Sequence, residues 1–207
     1  KNEFLSIKVK VRSRNLFDRI QNIENITNKF GENTKLRLDC NQSLDLVQAI
    51  RFCKEMENFN IEYIEQPLPK NQLDDMCELR LHTDIPIAAD ESITNLKSAE
   101  QIIDKQAADV FIIKPTMIGS YKQIESIINL ARSEGIKPII TSLFENIVGV
   151  SACAHLASAN KIHDACGLAT LDLFNNNFQE ISIKKGQMEI AQKNGLGVSI
   201  NKINLVK

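Results

Sequence analysis

Four ionisable residues follow short apolar runs at nearly equal intervals along this chain. They are Asp39, Glu65, Asp90 and Lys114, separated by 26, 25 and 24 positions. Each interval is long enough for one strand, a loop, one helix and a second loop. Because parallel strands joined by right-handed helical crossovers all point the same way, residues at their carboxyl ends meet at one edge of a sheet or barrel. The spacing therefore predicts that three carboxylates and one ammonium group converge.

The three carboxylates predict a binding site for a divalent cation. Like charges a few ångströms apart repel and raise one another's pKa unless a cation lies among them. Carboxylate oxygens suit a hard ion, and Mg²⁺ in particular keeps positions open for water or substrate. Any single Asp or Glu at a strand end could instead be a helix cap or a solvated loop residue. Because all four residues keep step with the repeat, we favour Asp39, Glu65 and Asp90 as ligands of Mg²⁺.

Two acids, Asp90 and Glu91, stand together at the end of the third run. Adjacent strand residues face opposite sides of a sheet. We therefore assign Asp90 to the cation and expect Glu91 to support the site indirectly, as the partner of a neighbouring group such as a lysine.

An earlier strand, from Phe4 to Val11, alternates apolar and polar residues, which places Lys8 and Lys10 on the same side. Two interpretations are open. The strand is an exposed edge whose lysines prevent aggregation, or it neighbours the strand that ends at Asp39 and turns both lysines toward the carboxylates. In the second case, a buried lysine beside another ammonium group loses its proton more readily and can act as a base near neutral pH.

The composition is that of an ordinary globular protein. Hydrophobic residues make up 43% and charged residues 25% of the 207 residues, and the net charge is −1. This balance argues against nucleic acid and anionic membranes as partners, and no stretch is apolar enough to span a bilayer. The five cysteines are odd in number and form no zinc-binding spacing, so we expect reduced thiols and a cytoplasmic protein.

The periodicity predicts alternating strands and helices, with helices from Asn15 to Phe30 and from about Asp45 to Asn58, and a loop from Pro115 to Gly119. The seven strand candidates end near Lys10, Asp39, Glu65, Asp90, Lys114, Ser142 and Leu171, and the last lies within Ala165 to Leu173. A TIM-type (β/α) barrel has eight strands. We therefore predict one partial barrel domain over residues 1–207, with its first strand before Lys1.

Five motifs in this order resemble the barrel domain of the enolase superfamily, in its muconate-lactonizing subgroup. They are Lys8-Val9-Lys10, Leu38-Asp39-Cys40-Asn41, Ile64-Glu65-Gln66-Pro67, Ala89-Asp90-Glu91-Ser92 and Ile113-Lys114-Pro115. The combination is highly specific, although each motif alone is weak. The resemblance implies Mg²⁺ held by Asp39, Glu65 and Asp90, with Lys10 and Lys114 on opposite faces of a bound carboxylate substrate.

The same resemblance implies the chemistry and the supporting residues. In these enzymes a base removes the proton α to the carboxylate, and charge placed against the developing enediolate lowers the barrier. Lys10 and Lys114 are the expected catalytic residues, and Lys8 helps to keep Lys10 partly neutral. We expect Asn41 and Glu91 to support the metal site. The residues expected to contact the substrate are Ser142, Glu145 and Leu168.

Within the subgroup, the later segments look most like the o-succinylbenzoate synthases of menaquinone biosynthesis. These segments run from Ser142 to Asn146, from Gly167 to Phe174 and from Asn194 to Val198. In those enzymes the lysine at Lys10 is first a base and then an acid that assists departure of hydroxide, while the lysine at Lys114 lies against the substrate ring as a cation. The implied reaction is dehydration of a succinyl-hydroxy-cyclohexadiene carboxylate.

Other functions stay open. Dipeptide epimerases of the subgroup use both lysines as a two-face acid/base pair and usually have Asp-x-Asp in the last strand loop for the substrate ammonium. Here Thr170 occupies the first acidic place and Asp172 the second, which disfavours that activity without excluding it. N-succinylamino acid racemase activity can share a site with the synthase, and an inactive barrel fragment is a further alternative.

Family members also have an N-terminal α+β capping domain that closes over the barrel mouth and selects the substrate. Nothing in these residues resembles it, so we expect a barrel truncated at its N-terminus. A site without that lid would lack its exclusion of water. The expected partner is a small carboxylate substrate, and the sequence leaves the oligomeric state open, with a homo-oligomer among the options.

Overall fold

Strands and helices alternate along the parts of the chain that the computed structural model describes, which are residues 4, 6–11, 15–171, 181–190 and 192–198. The strands are β1 (Ser6–Lys10), β2 (Lys35–Asp39), β3 (Ile61–Glu65), β4 (Ile87–Ala89), β5 (Val110–Ile113), β6 (Lys137–Ile140), β7 (Ile183–Lys184) and β8 (Gln187–Met188). The helices are α1 (Leu16–Phe30), α2 (Leu46–Met56), α3 (Leu73–Arg80), α4 (Leu96–Asp104), α5 (Pro115–Ile118), α6 (Tyr121–Ser133) and α7 (Ile147–Ala159). Within these ranges, no helix combines the length and the apolar character that crossing a membrane requires.

The first six strands form one sheet in the order β1-β2-β3-β4-β5-β6, and β7 and β8 form a separate antiparallel pair. Neighbouring strands from β1 to β5 are parallel. Lys10 is opposite Asp39, and Asp39 is opposite Glu65. These three residues therefore lie at the same level on three adjacent strands.

The chain divides into two compact units. The larger unit contains Leu5–Ile112 and Lys122–Pro138, and the smaller unit contains Phe4, Ile113–Tyr121 and the described residues from Ile139 onward. In the larger unit, large side chains from strands and helices are fully buried, among them Leu38, Phe52, Met56, Ile64, Ile87 and Phe111. Burial of each such side chain contributes about 1.5–3 kcal/mol, so the ends of β2, β3 and β4 project from a well-packed core.

Capping side chains determine where the early helices begin. The Asn15 side chain accepts a hydrogen bond from the Phe17 N–H at the start of α1. Asp45 and Gln48 form a reciprocal capping box at the start of α2, which satisfies backbone donors that the helix itself cannot pair. The predicted helices over these two segments are confirmed, and α2 ends at Met56, two residues short of the predicted boundary.

Two sequence predictions were wrong. The predicted loop from Pro115 to Gly119 contains α5, because Pro115 takes the first helical position and Gly119 adopts the left-handed φ of 75° that ends the turn. The strand expected within Ala165 to Leu173 is reduced, as far as Leu171, to one parallel bridge between Gly167 and Thr141. A Cβ at position 167 would lie 2.3 Å from Thr141 Oγ1, so glycine permits this close approach. Residues 172–173 lie outside the described ranges.

Candidate functional site

Three buried carboxylates meet at the carboxyl ends of adjacent strands. Asp39 ends β2, Glu65 ends β3, and Asp90 follows β4 by one residue. Each offers one oxygen, and these oxygens all lie within 4.8 Å of one another. The predicted convergence of the three carboxylates is present in the structure, and their role as metal ligands stays a prediction.

Both lysines of β1 point toward these carboxylates. Lys8 Nζ lies 2.9 Å from Asp39 Oδ2 and 2.5 Å from Glu65 Oε1. Lys10 Nζ lies 2.6 Å from Asp39 Oδ2, and its side chain is 45% exposed. The structure therefore agrees with the second interpretation of β1, in which the strand neighbours β2 and directs its lysines into the site.

Asn41 joins Lys10 to Glu91. Lys10 Nζ donates to Asn41 Oδ1 at 2.7 Å, and Asn41 Nδ2 donates to Glu91 Oε1 at 3.1 Å. The Asn41 N–H also donates to Asp39 Oδ1 at 3.1 Å. The partner of Glu91 in this network is thus an amide rather than the lysine that the sequence suggested, and Glu91 reaches Lys10 only through Asn41.

The ammonium groups of Lys8 and Lys10 lie among carboxyl groups that also influence one another's ionisation. Burial, together with the negative charges of Asp39 and Asp90, raises the pKa of Glu65 to about 8, although Lys8 opposes the increase. Burial also disfavours ionisation of Asp39, but the adjacent Lys8 and Lys10 outweigh it and lower the pKa of Asp39. For Lys8, burial lowers the pKa, and the attraction of Glu65 and Asp39 outweighs it, so the pKa is raised.

The donor set fits a hard divalent cation. Glu65 Oε2 is buried and has no hydrogen-bond partner among the described residues. Burying a polar oxygen without a partner is unfavourable, and a cation placed among the three carboxyl groups would give this oxygen a partner and favour the ionised form of Glu65. Three carboxylates on separate strands are the oxygen ligands that Mg²⁺ prefers. Asp39, Glu65 and Asp90 could therefore hold Mg²⁺.

Lys114 and Glu145 belong to the smaller unit, where each follows a strand. Lys114 lies between β5 and α5. Glu145 Oε1 accepts a hydrogen bond from Thr116 Oγ1 at 2.7 Å. A Cβ at Gly149 would lie 2.4 Å from Glu145 Cβ, so the absence of a side chain at position 149 makes room for Glu145. Sequence reasoning missed Thr116 and Gly149, although the spacing of four between Glu145 and Gly149 at a helix start was a usable signal.

Ser142 and Leu168, also in the smaller unit, make internal contacts. The Ser142 N–H and Oγ both donate to the Gly167 carbonyl oxygen, at 3.0 and 3.2 Å, and Ser142 Oγ lies 2.9 Å from Thr170 Oγ1. Leu168 is buried. Asp172, the second acidic place of the epimerase pattern, lies outside the described residues. Substrate contact by Ser142, Glu145 and Leu168 therefore stays a prediction.

Comparison with known proteins decides the family. A family model described as enolase C-terminal domain-like matches residues 1–203. The chain belongs to this family. Its structure superposes on the substrate-liganded L-Ala-D/L-Glu epimerase from Bacillus subtilis with a TM-score of 0.89 and 28% identity, covering 95% of this chain and 56% of that one. The predicted fold class, the α/β barrel of the enolase superfamily, is thereby confirmed.

Relatives of this enolase-like chain have different named activities. The L-amino acid-D/L-Glu epimerase of Francisella philomiragia is 36% identical over 162 residues, which are 77% of this chain and 45% of that protein. The o-succinylbenzoate synthase of Thermobifida fusca is 32% identical over 168 residues, which are 81% of this chain and 51% of that protein. The chain thus spans about half the length of the curated relatives it matches, and family membership alone does not select between their reactions.

Proposed function

We propose that the protein containing this chain removes the proton α to a carboxylate in a Mg²⁺-dependent reaction. The observation that carries this proposal is the group of three buried carboxylate oxygens within 4.8 Å, with the Lys10 ammonium 2.6 Å from one of them. Mg²⁺, when held by Asp39, Glu65 and Asp90, supplies positive charge that stabilises the negative charge developing on the carboxylate oxygens of the substrate.

The two lysines of β1 have different surroundings, which supports different roles. Lys8 Nζ contacts both Asp39 and Glu65, so its ammonium group holds two carboxylates in position. Lys10 lies closer to solvent and contacts one carboxylate and the Asn41 amide. We therefore assign proton transfer to Lys10, which a substrate can reach, and orientation of Lys10 to Asn41.

Within the family, the proposed reaction is that of o-succinylbenzoate synthase in menaquinone biosynthesis. Lys10, after its ammonium group has lost a proton, takes the α proton of the succinyl-hydroxy-cyclohexadiene carboxylate. The ring C–O bond then breaks, and the Lys10 ammonium returns its proton to the departing hydroxide, which leaves as water while the ring becomes aromatic. Lys114 is the proposed cation against the substrate ring.

The neighbourhood of Thr170 supports this reaction over epimerisation of a dipeptide. Thr170 Oγ1 lies 2.9 Å from Ser142 Oγ, so two neutral hydroxyls pair where the epimerase pattern has an acid. A substrate ammonium group needs a negatively charged partner when it is taken out of water. A site built for o-succinylbenzoate, which has no ammonium group, does not need that acid.

Dipeptide epimerase or N-succinylamino acid racemase activity is the second candidate. The 36% identity with the Francisella philomiragia epimerase favours it. In that reaction Lys10 and Lys114 would exchange the α proton on opposite faces, and Asp172 would be the remaining acid of the epimerase pattern.

An absorbance assay with the cyclohexadiene precursor separates these candidates. The natural protein that contains this chain is expected to consume the diene with Mg²⁺ and to stop when a chelator is added. The Lys10→Ala variant is expected to be inactive. Lys105→Ala is the matched control, because Lys105 is also an exposed lysine in an ion pair, and its partner Asp74 is not one of the site residues. Its loss should leave turnover unchanged.

If the precursor is not consumed, dipeptides and N-succinylamino acids are tested for α-proton exchange in deuterated water. Exchange that requires Lys10 would support the second candidate and contradict the synthase. Absence of exchange with every substrate would contradict α-proton abstraction and favour an inactive barrel.

A further inference from the structure

Gln66, to which sequence analysis gave no role, connects three strand ends through its backbone. It directly follows Glu65 and is 0% exposed. Its N–H donates to the Ala88 carbonyl at 2.8 Å, and its own carbonyl accepts from the Gln42 N–H at 2.7 Å. Ala88 precedes Asp90 by two residues, and Gln42 follows Asp39 by three. One residue therefore joins the chain segments that present all three carboxylates.

The Gln66 side chain strengthens the connection to Asp90. Gln66 Oε1 accepts from the Asp90 N–H at 2.9 Å, the Ser92 N–H at 3.2 Å and Ser92 Oγ at 3.0 Å. The Ser92 hydroxyl shares its proton with the Lys70 carbonyl oxygen, 3.2 Å away. Gln66 Nε2 donates to the Leu68 carbonyl at 3.0 Å. Because three donors surround the oxygen and a carbonyl faces the nitrogen, only one orientation of the amide satisfies every group.

The backbone of Gln66 is held in an unfavourable conformation. Its φ of 37° lies in the left-handed region, which residues with a Cβ avoid, and the following Pro67 restricts it further. Such conformations persist where the surrounding structure over-determines them, and they cluster at functional sites. The hydrogen bonds of Gln66 are therefore strong enough to keep the end of β3 in this shape.

We infer that Gln66 is a positioning residue that sets the separation of the Glu65 and Asp90 carboxylates and thereby the affinity for the divalent cation. It touches neither the cation nor the substrate. Mg²⁺ requires near-ideal octahedral geometry, so carboxylates on separate strands bind it tightly only if their strand ends are fixed relative to each other. The inference rests on the proposed metal-dependent function.

The test is binding of Mn²⁺ to the natural protein that contains this chain, followed by the paramagnetic resonance signal of the free ion. Gln66→Ala is expected to weaken Mn²⁺ binding about 10- to 100-fold, the usual effect of losing an outer partner of a metal ligand. Ser92→Ala removes one of the three donors and is expected to weaken binding about threefold. Ser151→Ala is the matched control, because Ser151 is also buried and donates Oγ to a backbone carbonyl, that of Leu196.

The control separates positioning from general loss of stability. Ser151→Ala should lower the free energy of unfolding about as much as Ser92→Ala while leaving Mn²⁺ affinity unchanged. Saturating Mg²⁺ should also restore most of the kcat of Gln66→Ala, because the ligands themselves are intact. If Gln66→Ala does not fold, Ser92→Ala against Ser151→Ala is the deciding pair.

Unchanged Mn²⁺ affinity in Gln66→Ala, or equal weakening in Ser92→Ala and Ser151→Ala, would overturn the inference and leave the metal site intact. Failure of the unmodified protein to bind Mn²⁺ would overturn the metal site itself, and with it this inference.

Discussion

Two ionic clusters lie along β1, β2 and β3 of the larger unit and differ in how they affect the ionisation of their glutamates. The inner cluster consists of Ser6, Arg37, Glu62 and Tyr63. In it Glu62 Oε2 accepts from Arg37 Nε at 2.7 Å and from Ser6 Oγ at 2.9 Å, and the Arg37 guanidinium lies 5.0 Å from the centre of the Tyr63 ring. The carboxylate cluster is made of Lys8, Asp39, Glu65 and Asp90, with Lys10 at its edge. It brings three acids together and has a buried oxygen, Glu65 Oε2, with no hydrogen-bond partner in the described ranges.

Two glutamates three positions apart show the consequence. Burial raises the pKa of Glu62, but hydrogen bonding and attraction from Arg37 outweigh it, and the net pKa is lowered. Burial and two neighbouring acids instead raise the pKa of Glu65 to about 8. In the inner cluster the Arg37 guanidinium favours the ionised form of Glu62, whereas the metal-free carboxylate cluster disfavours the ionised form of Glu65, which a bound cation would favour. Substitutions in the two clusters should therefore have opposite effects on stability and activity.

The largest expected effect is on turnover. Glu65→Gln removes one carboxylate and should reduce kcat/KM at least about 10³-fold, because the charge stabilisation lost is worth several kcal/mol. The free energy of unfolding of this variant should change little, since the substitution removes the repulsion from Asp39 and Asp90 together with the attraction of Lys8. Glu62→Gln is the matched change in the inner cluster and should retain most of the turnover. Comparable kcat/KM values for Glu65→Gln and the unmodified protein would show that the carboxylate cluster has no larger role in turnover than the inner cluster.

Removing the cation of the inner cluster should mainly reduce stability. Arg37→Met leaves the part-buried Glu62 without its guanidinium partner, so we expect the free energy of unfolding to fall by about 2 kcal/mol in urea denaturation. Lys10→Ala, which removes a half-exposed ammonium from the carboxylate cluster, should change it by less than about 1 kcal/mol. The reverse order of these two effects would show that the inner cluster is not the stabilising one.

Binding of a divalent cation should stabilise the folded protein only when the carboxylate cluster is intact. At 100 times its Kd, Mg²⁺ should raise the free energy of unfolding by about 2.7 kcal/mol. The same increment is expected in Arg37→Met, whose carboxylates are intact, and none in Asp39→Asn. If Mg²⁺ raised the free energy of unfolding of Asp39→Asn but not that of Arg37→Met, the cation would bind at the inner cluster and the prediction would be wrong.

The smallest effect concerns pH. Because the folded-state pKa of Glu62 is lowered from its ordinary value of 4.5, the folded protein binds fewer protons there than the unfolded chain. The stability that Glu62 contributes is present above about pH 4.5 and is lost as the pH falls through the folded-state pKa. Glu62→Gln should thus be about 1.5 kcal/mol less stable at pH 7, and this gap should close on acidification. A gap independent of pH would mean that Glu62 contributes by packing rather than by charge.

The sequence was most informative about the strand ends. One strand-helix unit has a nearly constant length, so the spacing of Asp39, Glu65 and Asp90 was sufficient to predict that their carboxylates meet. The direction of Lys8 and Lys10 depended on which strand is the neighbour of β1. Strand pairing is a tertiary property, and two interpretations consequently stayed open until the structure placed β1 beside β2.

Other features could not be predicted because they depend on close contacts between distant residues. The hydrogen bonds of Gln66 to Asp90 and Ser92 span 24 and 26 positions. No local sequence pattern predicts that the backbone of a glutamine adopts the left-handed conformation. The β-bridge between Gly167 and Thr141 likewise depends on the close contact of these two residues. The local sequence instead predicts a short apolar strand. Helix α5, where a loop was predicted, is instead explained by local preferences, because proline favours the first helical position and glycine the left-handed residue after the last.

Titration calorimetry of Mg²⁺ into the natural protein that contains this chain tests the central claim most directly. The account predicts saturable binding of one ion per chain, abolished in Asp39→Asn and unchanged in Glu62→Gln. Absence of binding in the unmodified protein, or unchanged binding in both Asp39→Asn and Glu65→Gln, would contradict the assignment of the carboxylate cluster as a metal site.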